Sequence, residues 1–280
     1  MDKLLLVDGS NLLFQMFYGM PARIVNKDGK AIQGTLGFVG ALLKIIRMTK
    51  PTHLAVLFDG ESYNERTEID QEYKATRPDY SLMNEENVPF SQLPDIYAAL
   101  DYLGICHQET TVCETDDWIA TYVFKYENEN NIVIASHDSD FFQLICDNVR
   151  VLRYRGDKTV ICDREYIKRK LGIIPEQYAL FKSLTGDNAD NIKGAEKVGS
   201  KTAAMLLGQF ENMKELFDNT DKITKASVRE SIIKNRERIE LNYKLIRLDG
   251  GADIPFDKAK MKFSDNGITT GEVLKGIGLK

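Results

Sequence analysis

Only three histidines and four cysteines occur among the 280 residues, and no two cysteines form a C-x-x-C pair. Cys106, Cys113, Cys146 and Cys162 therefore supply neither a zinc-site spacing nor a dithiol redox motif, and reduced thiols in a cytoplasmic protein are the simplest reading. No apolar run reaches the ~18 residues a membrane span needs. The N-terminal MDKLLLVDGSN has a short apolar stretch that ends in Asp-Gly, so it reads as a strand rather than a signal peptide. Internal repeats and low-complexity tracts are absent. Excess positive charge is also missing: 37 Lys and Arg stand against 42 Asp and Glu, for a net charge of −5. Nine of those acids form the cluster described below. Setting them aside leaves 37 minus 33, or +4, which is compatible with a polyanionic partner around an acidic pocket.

Apolar periodicity then gives the elements. Residues 3–7 (KLLLV), 53–58 (HLAVLF) and 131–135 (NIVIA) read as buried strands, each followed closely by an acid. Residues 35–48, 92–103 and 114–128 carry helical spacing, the last with acids in its first turn. A further strand and short hairpin are predicted at 149–154 and 159–162. Residues 61–94 read as a long polar excursion, and 163–247 as helical. The Gly-rich segment 248–280 is only weakly patterned. Strands alternating with helices imply an α/β fold with a mostly parallel sheet flanked by helices, followed by a helical module.

The chemistry lies in carboxylates. Asp8, Asp59 and Asp138 follow three predicted parallel strands, and sites in such sheets form beyond the carboxyl ends of the strands. Asp140 lies two residues past Asp138, and Glu114, Asp116 and Asp117 open a helix in ETDD. Any one of these acids alone is most simply a turn or capping residue. Together they would repel one another unless cations were bound. Oxygen-only ligation suits Mg²⁺ or Mn²⁺ over zinc. Two such ions at ~4 Å can clamp the attacking and leaving oxygens of a phosphoryl substitution.

The segments LLLVDGSN, LFDG, YKATRP, ETDDWIA, SHDSDFFQL and LTGDNADNIKGAEKVGSKTA, in that order, resemble the 5′-nuclease (flap endonuclease) family. That family includes the nuclease domain of bacterial DNA polymerase I and stand-alone bacterial relatives. The resemblance spans roughly residues 3–245. It implies a PIN-like nuclease core over 1–165, with a helical arch at about 72–95. It also implies a helical DNA-binding module over 166–280, with a helix-hairpin-helix at about 186–206. By the same resemblance, Asp8, Asp59, Glu114 and Asp116 hold one metal ion, and Asp138, Asp140 and Asp187 hold a second. Asp117 and Asp190 lie just outside, and Asp190 is as readily read as a turn residue. Lys74 and Arg77 match the basic pair that touches the scissile phosphate, a role suited to a compact ammonium and a forked guanidinium. Gly194, Lys197, Gly199, Ser200, Lys201 and Thr202 match the hairpin that binds duplex DNA through backbone N–H groups, with Ser200 as an expected helix cap. Two Mg²⁺ ions (Mn²⁺ as the alternative) and a K⁺ at the hairpin are implied. So are 5′ flaps, 5′ overhangs or RNA-primer junctions as DNA partners, a monomeric state and a bacterial cytosolic location.

The chain departs from the family pattern in places. Lys197 stands where the first glycine of Gly-x-Gly is usual, and Lys193 and Glu196 where prolines are frequent. Gln15 replaces an expected arginine. His137, beside Asp138, replaces a glycine and reads as a packed turn residue. Residues 147–170 hold eight Lys and Arg against four acids, a face for duplex DNA or a solvated face with equal weight. Of Phe14, Phe17 and Tyr18, at least two are expected in the core and one is free to stack a base. Trp118 is expected in the core. The leading function is a structure-specific 5′-nuclease. The alternatives are a non-catalytic branched-DNA-binding protein and a PIN-type ribonuclease. An aspartyl phosphatase is disfavoured, because Asp8 lacks a second acid two residues on.

Overall fold

Strand β1 (Asp2–Asp8) carries four consecutive aliphatic residues, Leu4 to Val7, all at most 1% exposed. A strand covered on both faces needs such a run rather than alternation. The computed structural model describes residues 1–60, 65–76, 78 and 88–280. After β1, in chain order, come α1 (Gly9–Gly19), α2 (Gln33–Thr49), β2 (His53–Phe58), α3 (Glu65–Ile69), α4 (Leu93–Tyr102), β3 (Cys106–Glu109), α5 (Thr115–Tyr126), β4 (Asn130–Ala135), β5 (Val149–Arg153) and β6 (Val160–Cys162). The second half holds α6 (Arg164–Leu171), α7 (Tyr178–Thr185), the paired β7 (Gly186–Asp187) and β8 (Ile192–Lys193), α8 (Ser200–Gln209), α9 (Met213–Asp218), α10 (Ala226–Lys234), α11 (Arg236–Ile246) and α12 (Thr270–Gly276).

The main sheet runs β3-β2-β1-β4-β5-β6 and is parallel except for β6. In register, Leu5 of β1 faces Leu54 of β2 and Val133 of β4. Alternation along β1 divides the core. Leu4 and Leu6 pack with Trp118, Ile119 and Phe141 on one face, while Leu5 and Val7 pack with Phe38, Leu42 and Phe58 on the other. Helix α5 thus covers one face of the sheet, and α2 the other. Because the strands are parallel, the carboxyl ends of β1, β2 and β4 share one rim, which fixes Asp8, Asp59 and Asp138 near one another.

The mostly parallel sheet flanked by helices agrees with the sequence reading. Several local features differ. Strand β3 is an edge strand of sequence CHQE, whose polar residues leave no apolar signal. Helix α1 and the short β7–β8 pair also carry no periodicity that marks them. The segment 248–280 is more ordered than its glycines suggest. Helix α12 is closed by a capping box, in which the Thr269 amide donates to Glu272 Oε2 at 2.8 Å, and it buries Val273 and Leu274. Of the aromatics after the first motif, Phe17 packs against the core from its edge and none of the three is fully buried. Phe14 and Phe17 are half-buried and Tyr18 is 56% exposed among the described residues, on the helix that follows β1 at the rim of the sheet. Phe14 instead meets Phe90 edge-on at 5.4 Å.

Trp118 is 5% exposed within the core beneath α5. Truncating it to alanine is expected to cost about 3–5 kcal/mol, read as a fall in the denaturant midpoint. A change below about 1 kcal/mol would mean that the site collapses around the loss.

Candidate metal centre

Asp8 ends β1 and caps α1 at once. Its Oδ1 accepts from the Asn11 amide at 2.9 Å, and its Oδ2 from the Ser136 hydroxyl at 2.8 Å. Ser136 also accepts from the Asp138 amide at 2.9 Å, so one hydroxyl spaces two of the acids. Asn11 Oδ1 accepts from the His137 amide at 2.9 Å, which ties the loop after β4 to α1. Asp59 follows β2. Its amide donates to the Ser10 hydroxyl at 2.8 Å, and its Oδ1 accepts from the Thr115 amide at the start of α5, at 2.9 Å. The Asp-Gly-Ser-Asn sequence thus builds the rim as well as supplying an acid. His137 is a packed turn residue, with Nε2 2.7 Å from the Tyr154 carbonyl. Gln15 also donates to that carbonyl, at 2.6 Å, so the position where arginine was expected serves the fold.

Burial and mutual repulsion act on the same carboxylates. Asp8 is pushed up to about 7, first by burial and then by Asp59, with Asp138 adding to it. Asp116 is pushed well above the usual carboxylate range by burial and by Asp138, Asp8, Glu114 and Asp59. Asp138 is also raised by burial, although the Asp140 amide donates to it at 2.8 Å. Asp140 lies 9% exposed in the single helical turn Asp140–Leu144. Burial and Asp138 push it far up, against the opposing pull of Lys182. Its Oδ1 is buried and has no hydrogen-bond partner among the described residues. A buried carboxylate oxygen left without a partner calls for a ligand, and a cation is the kind that also relieves the repulsion.

Helix α7 and the β7–β8 turn bring the second group. Ligand oxygens of Asp140, Asp187 and Asp190 lie within 4.8 Å of one another. Asp187 pairs with Lys182 and accepts from the Ala189 amide at 2.9 Å. An all-carboxylate set of this spacing suits a hard divalent cation.

Glu114 and Asp117 meet a different environment. Arg66, 12% exposed at its side chain, donates to Glu114 Oε2 at 2.5 Å and to both Asp117 oxygens at 2.6 and 3.1 Å. Lys74 pairs with Glu114 Oε1, and the Tyr73 hydroxyl donates to Oε2 at 3.2 Å. Burial alone would lower the Arg66 pKa, but Glu114 and Asp117 outweigh it and hold the guanidinium charged. Cys113, one residue before Glu114, has its thiol pushed up to about 11 by burial and by Asp117, so it is an inert thiol at neutral pH. Sequence patterns do not single out Arg66, Lys182, Ser10, Asn11 or Ser136. Only their contacts reveal them. Arg77 and residues 79–87 of the expected arch lie outside the described residues. Within its span, Pro89–Gln92 is a single helical turn leading into α4.

In the hairpin, Ala195 donates to the Leu184 carbonyl at 2.9 Å, and Asn242 Nδ2 to the carbonyls of Ser183 and Lys193 at 3.0 and 2.9 Å. Gly194 has no room for a side chain, since a Cβ would fall on the backbone of Thr185 and Gly186. Gly194→Ala is therefore expected to lower the melting temperature. An unchanged melting temperature would count against this close approach. Lys197 adopts φ +64°, a left-handed conformation costing a side chain about 1–2 kcal/mol, which accounts for glycine being usual at that position in the family pattern. Ser200 does not cap α8. It is the first helical residue, Gly199 is the cap, and there is no side-chain capping bond. Ser200, Lys201 and Gly199 are exposed and Thr202 is half-buried. Six of the eight basic residues in 147–170 are exposed: Arg150, Arg155, Lys158, Lys168, Arg169 and Lys170. Arg153 is held by the His137 carbonyl at 2.9 Å, and Arg164 by Glu176 at 2.6 Å.

Comparison with known proteins matches residues 3–172 to the family profile "5′-3′ exonuclease, N-terminal resolvase-like domain", and residues 173–267 to "5′-3′ exonuclease, C-terminal SAM fold". A DNA polymerase I of Rhizobium leguminosarum is 34% identical over 265 residues, covering 91% of this chain but only 25% of that protein. The chain thus spans about a quarter of that polymerase's length. A 5′-3′ exonuclease of Buchnera aphidicola is 30% identical over 269 residues, covering 91% of this chain and 89% of its own. Among solved structures, the D15 flap endonuclease of bacteriophage T5, in a complex with DNA and metal ions, aligns with a TM-score of 0.72. It is 21% identical and covers 88% of this chain and 89% of that one.

Proposed function

Because this chain belongs to the 5′-3′ exonuclease family, we propose that it is a metal-dependent, structure-specific nuclease that hydrolyses DNA phosphodiester bonds near 5′ flaps or ends. The observation that carries this reading is the ring of raised, buried carboxylates with an unpartnered Asp140 oxygen at the carboxyl rim of the sheet. Asp8, Asp59, Glu114 and Asp116 would hold one divalent cation, and Asp138, Asp140 and Asp187 a second, with Asp117 and Asp190 just outside; the clustering of Asp190 with Asp140 and Asp187 supports its place at the second. Mg²⁺ is the expected ion and Mn²⁺ a substitute. Such cations supply the electrophilic charge and clamped geometry of an in-line phosphoryl substitution.

The chain's own residues do the rest. Lys74, and Arg77 with it, would bind the scissile phosphate. Arg66 keeps Glu114 and Asp117 neutralised beneath them, so the foot of the arch stays docked when substrate charge arrives. The hairpin from Gly194 through Thr202, with a potassium ion bound there, would grip duplex phosphates, and the exposed cations of 147–170 would extend that track. The 1–165 core and 166–280 module of this reading are supported by two family profiles that meet between residues 172 and 173. Flaps, 5′ overhangs and RNA-primer junctions are the expected substrates. A monomer in the bacterial cytosol is the expected setting. Among the described residues, no helix is long and apolar enough to cross a membrane.

The test is a Mg²⁺ titration with an end-labelled 5′-flap duplex, reading product lengths, with EDTA as the control. Metal-dependent products within a few nucleotides of the junction support the proposal. Tight binding with no cleavage at any Mg²⁺ or Mn²⁺ concentration overturns it. In the same assay, Lys74→Ala should slow the single-turnover rate by about 10²-fold, the scale of one lost phosphate-directed cation of roughly 3 kcal/mol.

A further inference from the structure

Two non-glycine residues with left-handed backbone meet where the foot of the arch touches the second acid group: Lys74 and Asn191, each at φ +57°. The Lys74 amide donates to the Asp190 carbonyl at 3.0 Å. Asn191 Nδ2 donates back to the Glu72 carbonyl at 2.8 Å. These two bonds bracket a short contact between residues 72–74 and 190–191, and neither belongs to a helix or the sheet. Between them Tyr73 is buried against Ile192, Ala179, Leu245 and Ile246. The Lys74 ammonium lies 4.8 Å from the centre of the Tyr73 ring and pairs with Glu114.

A lysine does not hold a left-handed conformation unaided, since its Cβ crowds the carbonyl oxygen there. Something outside residue 74 has to stabilise it. The amide bond to Asp190 stabilises it only if the 190–191 backbone is itself presented correctly, and the Asn191 side chain fixes that presentation on Glu72. The geometry points to Asn191 as a positioning residue for Lys74: its amide docks the turn carrying Asp187 and Asp190 onto the arch foot, and so sets where the Lys74 ammonium stands against the scissile phosphate. The consequence for cleavage rests on the nuclease reading. The docking itself does not.

The competing role is that of a turn former, because asparagine tolerates left-handed backbone readily. Glycine separates the two, as it keeps the backbone and removes the amide. Asn191→Gly is expected to slow single-turnover cleavage of a 5′-flap duplex about fivefold, the size of one net hydrogen bond of roughly 1 kcal/mol. In a Lys74→Ala background the same change should cost less than about twofold, since residues that act through one another are non-additive. Equal fivefold losses in both backgrounds, or no loss in the first, overturn the proposal. Hydrogen exchange on the uncut, metal-free chain reads the docking without cleavage. The Lys74 amide should exchange about fivefold faster in Asn191→Gly, while core amides such as Ile134 stay unchanged. An unchanged Lys74 amide also overturns it. A wild-type chain that cleaves nothing counts against the nuclease reading alone, and the exchange result then decides the docking.

Discussion

Asparagine in place of Asp140 is expected to cut cleavage by about 10³-fold and, in EDTA at pH 8, to raise the melting temperature. The first effect follows from removing a buried carboxylate that, among the described residues, has an oxygen without a hydrogen-bond partner and shares a 4.8 Å cluster with Asp187 and Asp190. Losing one ligand oxygen removes several kcal/mol of transition-state charge stabilisation, and about 4 kcal/mol corresponds to a thousandfold in rate. The second effect follows from the same geometry read without a cation. Asp140 sits among Asp138, Asp187 and Asp190, with Lys182 the only opposing charge among the leading influences on it. Ionising it there costs free energy that a neutral amide avoids. That cost fades as pH falls and the raised carboxyl takes up its proton, so the gain in melting temperature should shrink toward acid pH. An acid kept for structure behaves in the opposite way and destabilises when neutralised. Residual cleavage within tenfold of wild type would sink the ligand assignment, and a lower melting temperature at pH 8 would make Asp140 a structural residue. The combination of higher stability and lost activity marks a site that stores repulsion for a ligand.

How much of this is legible in the sequence depends on the range of the contact. Asp8, Asp59 and Asp138 can be placed from pattern alone, because a buried parallel strand writes itself as an apolar run and its end is where the acid stands. Trp118 follows from the helical spacing of α5. Arg66 is different. In ERTEI, within a polar excursion, it reads as a solvated surface charge, yet it is buried against acids 48 and 51 residues away. No local pattern carries that information. The edge strand β3 is invisible for a related reason: the neighbouring β2 imposes its extended form, while CHQE itself has no alternation. The aromatics after Asp8 are less legible, because apolar character alone does not separate Phe17, which packs against the core, from Tyr18, which is exposed among the described residues. Lys197 shows the reverse. Its departure from the glycine pattern is visible in the sequence, but its left-handed backbone and the strain that follows are seen only in the fold.

Stability should also depend on pH and on divalent cations jointly, and the sign is fixed by Asp8. Its carboxyl is at about 7 in the folded chain, against 3.8 when unperturbed. A group whose folded pKa lies above its unfolded one contributes stability that is fully present below the unfolded value, here about pH 4, and is lost as pH rises through the folded value. Between those limits the metal-free chain loses roughly 1.4 kcal/mol per pH unit from this one group. Asp116, Asp138 and Asp140 are raised as well and act in the same direction. In EDTA the melting temperature is therefore expected to fall between pH 5 and pH 8. Cation binding removes the cause, because the ionised carboxylates then gain a partner, and by mass action it stabilises only the folded chain. Saturating Mg²⁺ should thus raise the melting temperature strongly at pH 8 and little at pH 5. Calorimetric scans at both pH values, with and without the ion, decide the matter. An equal Mg²⁺ shift at pH 5 and pH 8 would mean that the cation binds elsewhere than among these acids. A metal-free chain that grows more stable toward pH 8 would mean that the rim holds its carboxylates ionised without one.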